Sequence, residues 1–197
     1  MLVVCEGPMG AGKTSLTRLL AGHFGAVEYL ESPGDNPFLA QLYAGHRHAL
    51  ATELHFLLQR AQQWQALPEG LCFSDYGPEK DLLFTAQTLD QAERELYLRI
   101  RAEIFPRPPQ VGLMIFLDAP LDLLYSRVAA RGDRWDTAMQ REYLAQVQAR
   151  YADFFTHSQG EHIDLRGQDL DFVARQKDAT ILTDLVENKL HELGWRS

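Results

Sequence analysis

The strongest constraint in this chain is a glycine-rich octapeptide placed directly after its first apolar run. Leu2-Val3-Val4-Cys5-Glu6 reads as a short strand, and Gly7-Pro8-Met9-Gly10-Ala11-Gly12-Lys13-Thr14 follows with the spacing G-x-x-x-x-G-K-[ST]. The glycines let successive backbone N–H groups turn inward around a phosphate, where bulkier residues would block them. A helix starting near Gly12 points the positive end of its dipole at the same anion. Lys13 adds a full charge near the outer phosphates, and Thr14 offers a hydroxyl to Mg²⁺. With Ser15 beside them, these residues form the candidate phosphate-binding set. Leu16, Leu19, Leu20 and Phe24 recur at helical spacing and would pack that helix onto a sheet.

The rest of the chain supplies the sheet. Val27 to Glu31, Leu71 to Asp75, Val111 to Asp118 and His162 to Leu165 read as further strands. Helical patterns alternate with them over 36–43, 46–67, 79–84, 88–105, from Pro120 to about 131, 137–155 and 173–193. Strands alternating with helices imply a parallel α/β sheet. No internal repeat or linker marks a second domain, so one domain over 1–197 is expected.

Charge and cysteine content exclude several partners. The formal net charge of −8 argues against a nucleic-acid polymer or an anionic membrane, each of which needs a basic face. A polyphosphate must therefore be held by a local cationic pocket. Cys5 and Cys72 lie in apolar runs and read as buried thiols of a reducing compartment. No apolar run is long enough to span a bilayer, and strand one begins at the N-terminus, leaving no room for a signal peptide. A cytoplasmic location follows as an expectation.

Further stretches narrow the chemistry. Glu31 closes strand two and is followed by Asn36-Pro37-Phe38-Leu39 and Tyr43. Phe56-Leu57-Leu58-Gln59-Arg60, Ser74-Asp75-Tyr76 with Lys80-Asp81, and Leu117-Asp118-Ala119-Pro120 with Arg127 and Arg131-Gly132 come next. In this order they resemble the deoxynucleoside kinase family, and within it the bacterial deoxyguanosine/deoxyadenosine kinase branch. The resemblance runs from Leu2 to about Phe155. It implies a P-loop kinase fold: a five-stranded parallel sheet flanked by helices, with an arginine-bearing lid. It also implies a homodimer or a heterodimer with a related kinase subunit, ATP-Mg²⁺ as donor, and the 5′-hydroxyl of a purine deoxynucleoside as acceptor.

A hydroxyl attacking a phosphoryl group must lose its proton, and a carboxylate at the C-terminal end of a strand beside the loop is well placed to take it. Glu31 and Asp75 both qualify. The resemblance puts Glu31 on the 5′-hydroxyl as first choice of base, and gives Asp75 either the base role or a place in the Mg²⁺ shell with Thr14. Lys13 and Arg127 would stabilise charge on the transferred group, and Arg131 shares a helical face with Arg127. Many relatives read Arg-Gly-Arg where this chain has Arg131-Gly132-Asp133-Arg134. Tyr43 and Asp136 match contacts to the deoxyribose 3′-hydroxyl, and Arg60 and Asp81 match a pair reading the base. Tyr76 stands where relatives of wider specificity carry an arginine near the 5′-hydroxyl.

Glu53 replaces a glutamine usual in relatives. A carboxylate only accepts hydrogen bonds, and guanine offers adjacent N1–H and N2–H₂ donors where adenine offers one donor beside an acceptor. Deoxyguanosine is therefore favoured and deoxyadenosine next, unless Glu53 faces solvent or His55 takes its place. Phe38 and Phe56 could stack on the base or pack in the core; Trp64, Trp135 and Trp195 read as packing or lid residues. Two other classes share the phosphate loop. A nucleoside monophosphate kinase needs a cationic acceptor pocket, whereas these acceptor positions are carboxylates and a tyrosine. A non-enzymatic nucleotide switch does not require the acid pair Glu31 and Asp75.

Overall fold

A computed structural model of the chain describes residues 1–45, 48–132 and 139–195. Among these residues, five strands form one parallel sheet: β1 (Leu2–Glu6), β2 (Val27–Tyr29), β3 (Cys72–Ser74), β4 (Val111–Phe116) and β5 (His162–Asp164). Their order is β2-β3-β1-β4-β5. The expected five-stranded parallel sheet is therefore present. β1 is buried along its whole length, which is why it reads as a continuous apolar run and not as an alternating one. It pairs with β4 through Val3↔Leu113, Cys5↔Ile115 and Glu6↔Phe116. Cys5 and Cys72 are both free and buried.

The helices are α1 (Lys13–Phe24), α2 (Leu39–Gly45), α3 (Ala49–Gln65), α4 (Lys80–Thr88), α5 (Gln91–Ile104), α6 (Leu121–Arg131), α7 (Arg141–His157) and α8 (Gln176–Glu192). The clearest start signal is at α5. Asp90 accepts from the Glu93 N–H at 2.9 Å and Glu93 reaches back to the Asp90 N–H at 3.3 Å, a reciprocal cap. No helix among the described residues is long and apolar enough to cross a membrane.

Several boundaries differ from expectation. Among them, the helix expected over 79–84 runs Lys80–Thr88, and the next, expected from 88, begins at Gln91. Three of the differences have a clear physical reason. β2 stops at Tyr29, because the Glu31 N–H donates to the Asp75 side chain and leaves the ladder. The helix expected from Asn36 begins at Leu39. Asn36 is instead a buried anchor, donating from its amide to the Thr52 carbonyl and accepting from the Phe38 N–H, each at 3.1 Å. The helix expected from Val173 begins at Gln176, and the residues before it turn toward the phosphate loop.

Two loop glycines are required by their surroundings. A Cβ on Gly7 would lie 2.1 Å from the Leu117 carbonyl oxygen, so the loop could not settle against the end of β4. Gly10 has φ +82° and its Cβ would fall 2.5 Å from the Leu124 carbonyl oxygen. The loop is thus clamped between the tip of β4 and helix α6.

Candidate active site

At the carboxyl edge of the sheet lies a cavity of about 640 Å³. Its floor is the loop from Met9 to Ser15, held by the turn from β1 into α1. Lys13 folds over that loop, donating to the carbonyls of Gly7 at 2.7 Å and Pro8 at 2.9 Å. Burial and then the neighbouring Lys80 charge lower the Lys13 ammonium to about 8, against the pull of Glu6, Asp75 and Glu31. An arriving phosphate would reverse that imbalance. Arg127 and Arg131 reach the same end from α6, with Arg127 Nη1 donating to the Gly10 carbonyl at 3.3 Å.

From the loop, a line of contacts leads to the far end of the cavity. The Thr14 hydroxyl donates to Asp75 Oδ2 at 2.5 Å. The other oxygen of Asp75 accepts the Glu31 N–H at 2.9 Å. Glu31 Oε1 takes Arg60 Nη2 at 2.5 Å and Nε at 3.1 Å, and Oε2 takes Lys80 Nζ at 2.7 Å. Burial pushes the Glu31 carboxyl up, but Lys80 and Arg60 outweigh it and hold the group at about 2. Glu31 is therefore ionised at any ordinary pH.

Beyond Arg60 the wall turns apolar and aromatic. Phe56, Leu39, Leu42, Phe84, Tyr43 and Tyr143 line it, and the Tyr43 and Tyr143 rings lie 5.5 Å apart. The Arg60 guanidinium sits 5.4 Å from the Phe56 ring centroid. Arg60 Nη1 is buried without a hydrogen-bond partner among the described residues. Glu53 also faces this space. It is 3 % exposed and accepts from the Thr88 hydroxyl at 2.9 Å. Burial raises its carboxyl to about 7, against the Thr88 bond and Arg60. Glu53 is thus turned inward and not to solvent, and His55 is not part of the wall.

Two expected contacts stand elsewhere. Tyr76 is fully buried behind the wall, bonded to the Gln63 side chain and stacked on Trp64 at 5.3 Å. A phenol placed between α3 and β3 gains more from ring packing than from facing a polar cavity. Asp81 is also behind the wall, accepting from the Tyr97 hydroxyl at 2.8 Å and Arg101 Nε at 2.6 Å. A buried carboxylate needs such partners, and α5 supplies them. Asp136, Arg134, Trp135 and His46 lie outside the described residues. Trp64 and Trp195 pack against rings, Trp195 edge-on to Phe24 at 5.6 Å. Phe56 lines the cavity and Phe38 does not.

Other residues in or behind the wall were given no role by the sequence. Arg18 of α1 and Leu170 to Ala174 flank the phosphate loop, with Phe172 against Gly12. Glu6 is buried at the end of β1, accepting from the Gly77 N–H at 2.6 Å and the Tyr151 hydroxyl at 2.9 Å, and so fixes the turn that carries Asp75. Lys80 could have been noticed as a lysine in the first turn of a helix, where the dipole disfavours it.

A parallel sheet whose carboxyl edge carries a phosphate loop, faced by an ionised acid and an aromatic-lined cavity, defines a P-loop phosphotransferase. The model of the deoxynucleoside kinase family matches residues 3–191, and the chain belongs to that family. It is a phosphotransferase acting on deoxynucleosides. It is 28% identical over 210 residues to a deoxyadenosine kinase of Lactobacillus acidophilus, covering 98% of both chains. It is 28% identical over 156 residues to a deoxyguanosine kinase of Bacillus subtilis, covering 76% of this chain and 75% of that one. A solved structure of deoxyadenosine kinase from M. mycoides with bound dATP superposes with a TM-score of 0.80 at 20% identity, covering 97% and 99% of the two chains.

Proposed function

We propose that the protein transfers the γ-phosphoryl group of ATP to the 5′-hydroxyl of a purine deoxynucleoside, deoxyguanosine before deoxyadenosine. The observation that carries this reading is the line Thr14–Asp75–Glu31–Arg60, which joins the phosphate loop to the aromatic end within one cavity. The donor's phosphates would lie in the loop under Lys13, Arg127 and Arg131, with the segment around Phe172 beside them. The deoxynucleoside would lie between Tyr43, Phe56, Arg60 and Glu53. Its 5′-oxygen would reach Glu31, which accepts the proton as the phosphoryl group arrives. The cations at this end, Arg60 and Lys80, are both paired with Glu31, which suits an uncharged sugar alcohol better than a phosphate.

Thr14 and Asp75 set two hard oxygens side by side at the mouth of the loop, a donor set suited to Mg²⁺. Bound there, the ion would neutralise charge on the donor's phosphates. Asp75, bonded to the Thr14 hydroxyl at the loop, would help hold the ion, and we assign the base role to Glu31, which stands further along the cavity. The acceptor preference rests on Glu53. Its ionised carboxylate accepts from both guanine donors but faces the N1 acceptor of adenine with repulsion. Relatives named for both purines support the purine class.

We take residues 1–197 as one catalytic domain. The family resemblance supports a homodimer or a heterodimer with a related subunit, working in the cytoplasm. A substrate panel tests the reading: with ATP-Mg²⁺, deoxyguanosine should be phosphorylated and dGMP should not. A dGMP kinase activity without deoxyguanosine kinase activity would overturn it.

A further inference from the structure

Lys80 is out of place by ordinary rules. It is the first residue of α4, where the helix dipole repels a cation. It is also 7 % exposed, and lysines are rarely so buried unless paired. Its ammonium reaches Glu31 Oε2 at 2.7 Å, and its charge is felt by Glu6 and Lys13 as well. The stem passes Phe84 one turn on, with Nζ 5.9 Å from the ring centroid. A buried ion pair of this kind is seldom better for stability than apolar packing of the same size. What it does provide is a fixed orientation. Arg60 grips Oε1 with two N–H groups, but those bonds alone let Oε2 swing with the carboxylate plane. Lys80 closes that freedom from the opposite element.

We propose that Lys80 is a positioning residue for phosphoryl transfer: its ammonium holds Oε2 of Glu31 toward the acceptor oxygen, and Arg60 alone does not suffice. The proposal rests on the reading of Glu31 as the acceptor's base. It assigns the two cations different tasks. Arg60 lines the acceptor end beside Phe56, with a buried Nη1 that has no partner among the described residues, and serves binding as well as Glu31. Lys80 serves the reacting carboxylate. Loss of Lys80 therefore acts on the rate of the chemical step and leaves the acceptor's affinity in place. A misplacement of about 1 Å at a reacting group is enough for about a hundredfold loss.

The test uses the full chain with ATP-Mg²⁺ and deoxyguanosine, comparing Lys80→Met, Lys80→Gln, Lys80→Arg and Glu31→Gln. Single-turnover rates by rapid quench, deoxyguanosine affinity by calorimetry and thermal melting are read for each. The expected result is a single-turnover rate about 30- to 100-fold lower for Lys80→Met and Lys80→Gln, with deoxyguanosine affinity within about threefold and no fall in melting temperature. Lys80→Arg should recover most of the rate. Glu31→Gln should be the slowest. If Lys80→Met or Lys80→Gln folds and keeps the wild-type rate while Glu31→Gln is inactive, the role of Lys80 is refuted and that of Glu31 stands. An equal loss in rate and affinity, or failure of both neutral variants to fold, would make Lys80 structural and also refute it. If Glu31→Gln keeps the rate, the reading of Glu31 itself falls.

Discussion

Replacing Glu53 with glutamine changes one hydrogen-bond acceptor into a donor at a site already built and buried, so its effect on base choice can be sized. In the wild type, the Thr88 hydroxyl holds Oε1 and leaves the carboxylate edge facing the cavity. Against guanine, the glutamine amide would set an N–H₂ against a ring donor and forfeit at least one charge-assisted bond. Such bonds contribute about 1.5–3 kcal/mol each. Glutamine also gains a matched pair with adenine, donor to N1 and acceptor to the amino group. The ratio of kcat/KM for deoxyguanosine over deoxyadenosine should therefore fall by about 30- to 1000-fold in Glu53→Gln, at roughly tenfold per 1.4 kcal/mol. The wild type offers an internal control. Because Glu53 titrates at about 7, its neutral acid, which can donate to adenine N1 as glutamine does, prevails in mild acid. Between pH 6 and pH 8 the ionised fraction rises about tenfold, and the preference for deoxyguanosine should rise by at least that factor. The ratio at each pH cancels titrations common to both substrates, including those of the loop. kcat/KM also reports the free enzyme, in which Glu53 has this environment. Initial rates with both nucleosides at fixed ATP-Mg²⁺, from pH 6 to 8.5, measure it. A ratio flat with pH in the wild type and unchanged in Glu53→Gln would refute the reasoning.

The same group affects the fold: its raised value makes the ionised form destabilising, so Glu53→Gln should raise the melting temperature at pH 8 and leave it unchanged at pH 4, where both states are protonated, as calorimetry can check. Glu31→Gln should lower kcat by about 10²–10⁴ with retained deoxyguanosine binding, measured by turnover and calorimetry. Arg101→Ala removes an ion pair from the buried Asp81 while Tyr97 still bonds it; chemical denaturation should show a loss of about 2–3 kcal/mol, below the full cost of an orphaned carboxylate. Gly10→Ala should abolish nucleotide binding in an equilibrium titration, because the loop cannot keep φ +82° or its approach to Leu124.

The sheet was legible because its strands are short apolar runs separated by strong turn residues, and the phosphate loop because its chemistry is local. β1 matches the sequence reading residue for residue. Residues whose partners are distant in the chain were harder. Asn36 reads as the cap of the helix expected over 36–43, yet its amide donates to the Thr52 carbonyl of α3. Tyr76 and Lys80 are four apart, and nothing local says that the phenol packs on Trp64 while the lysine enters the cavity. Val173 and Ala174 read as the start of the helix behind them and 170–172 fall between elements, so the contact of Phe172 with Gly12, far away in sequence, left no mark. Acids fared best where the fold gives them a strand end, as with Glu31 and Asp75. Asp81, inside a helix, found its partners on α5.

Asp75 divides its two oxygens between Thr14 on one side and the main chain of Glu31 on the other. One short side chain thus acts as a gauge between the two halves of the cavity. On the proposed roles of these residues, the span a phosphoryl group would cross is set by the protein before any molecule enters.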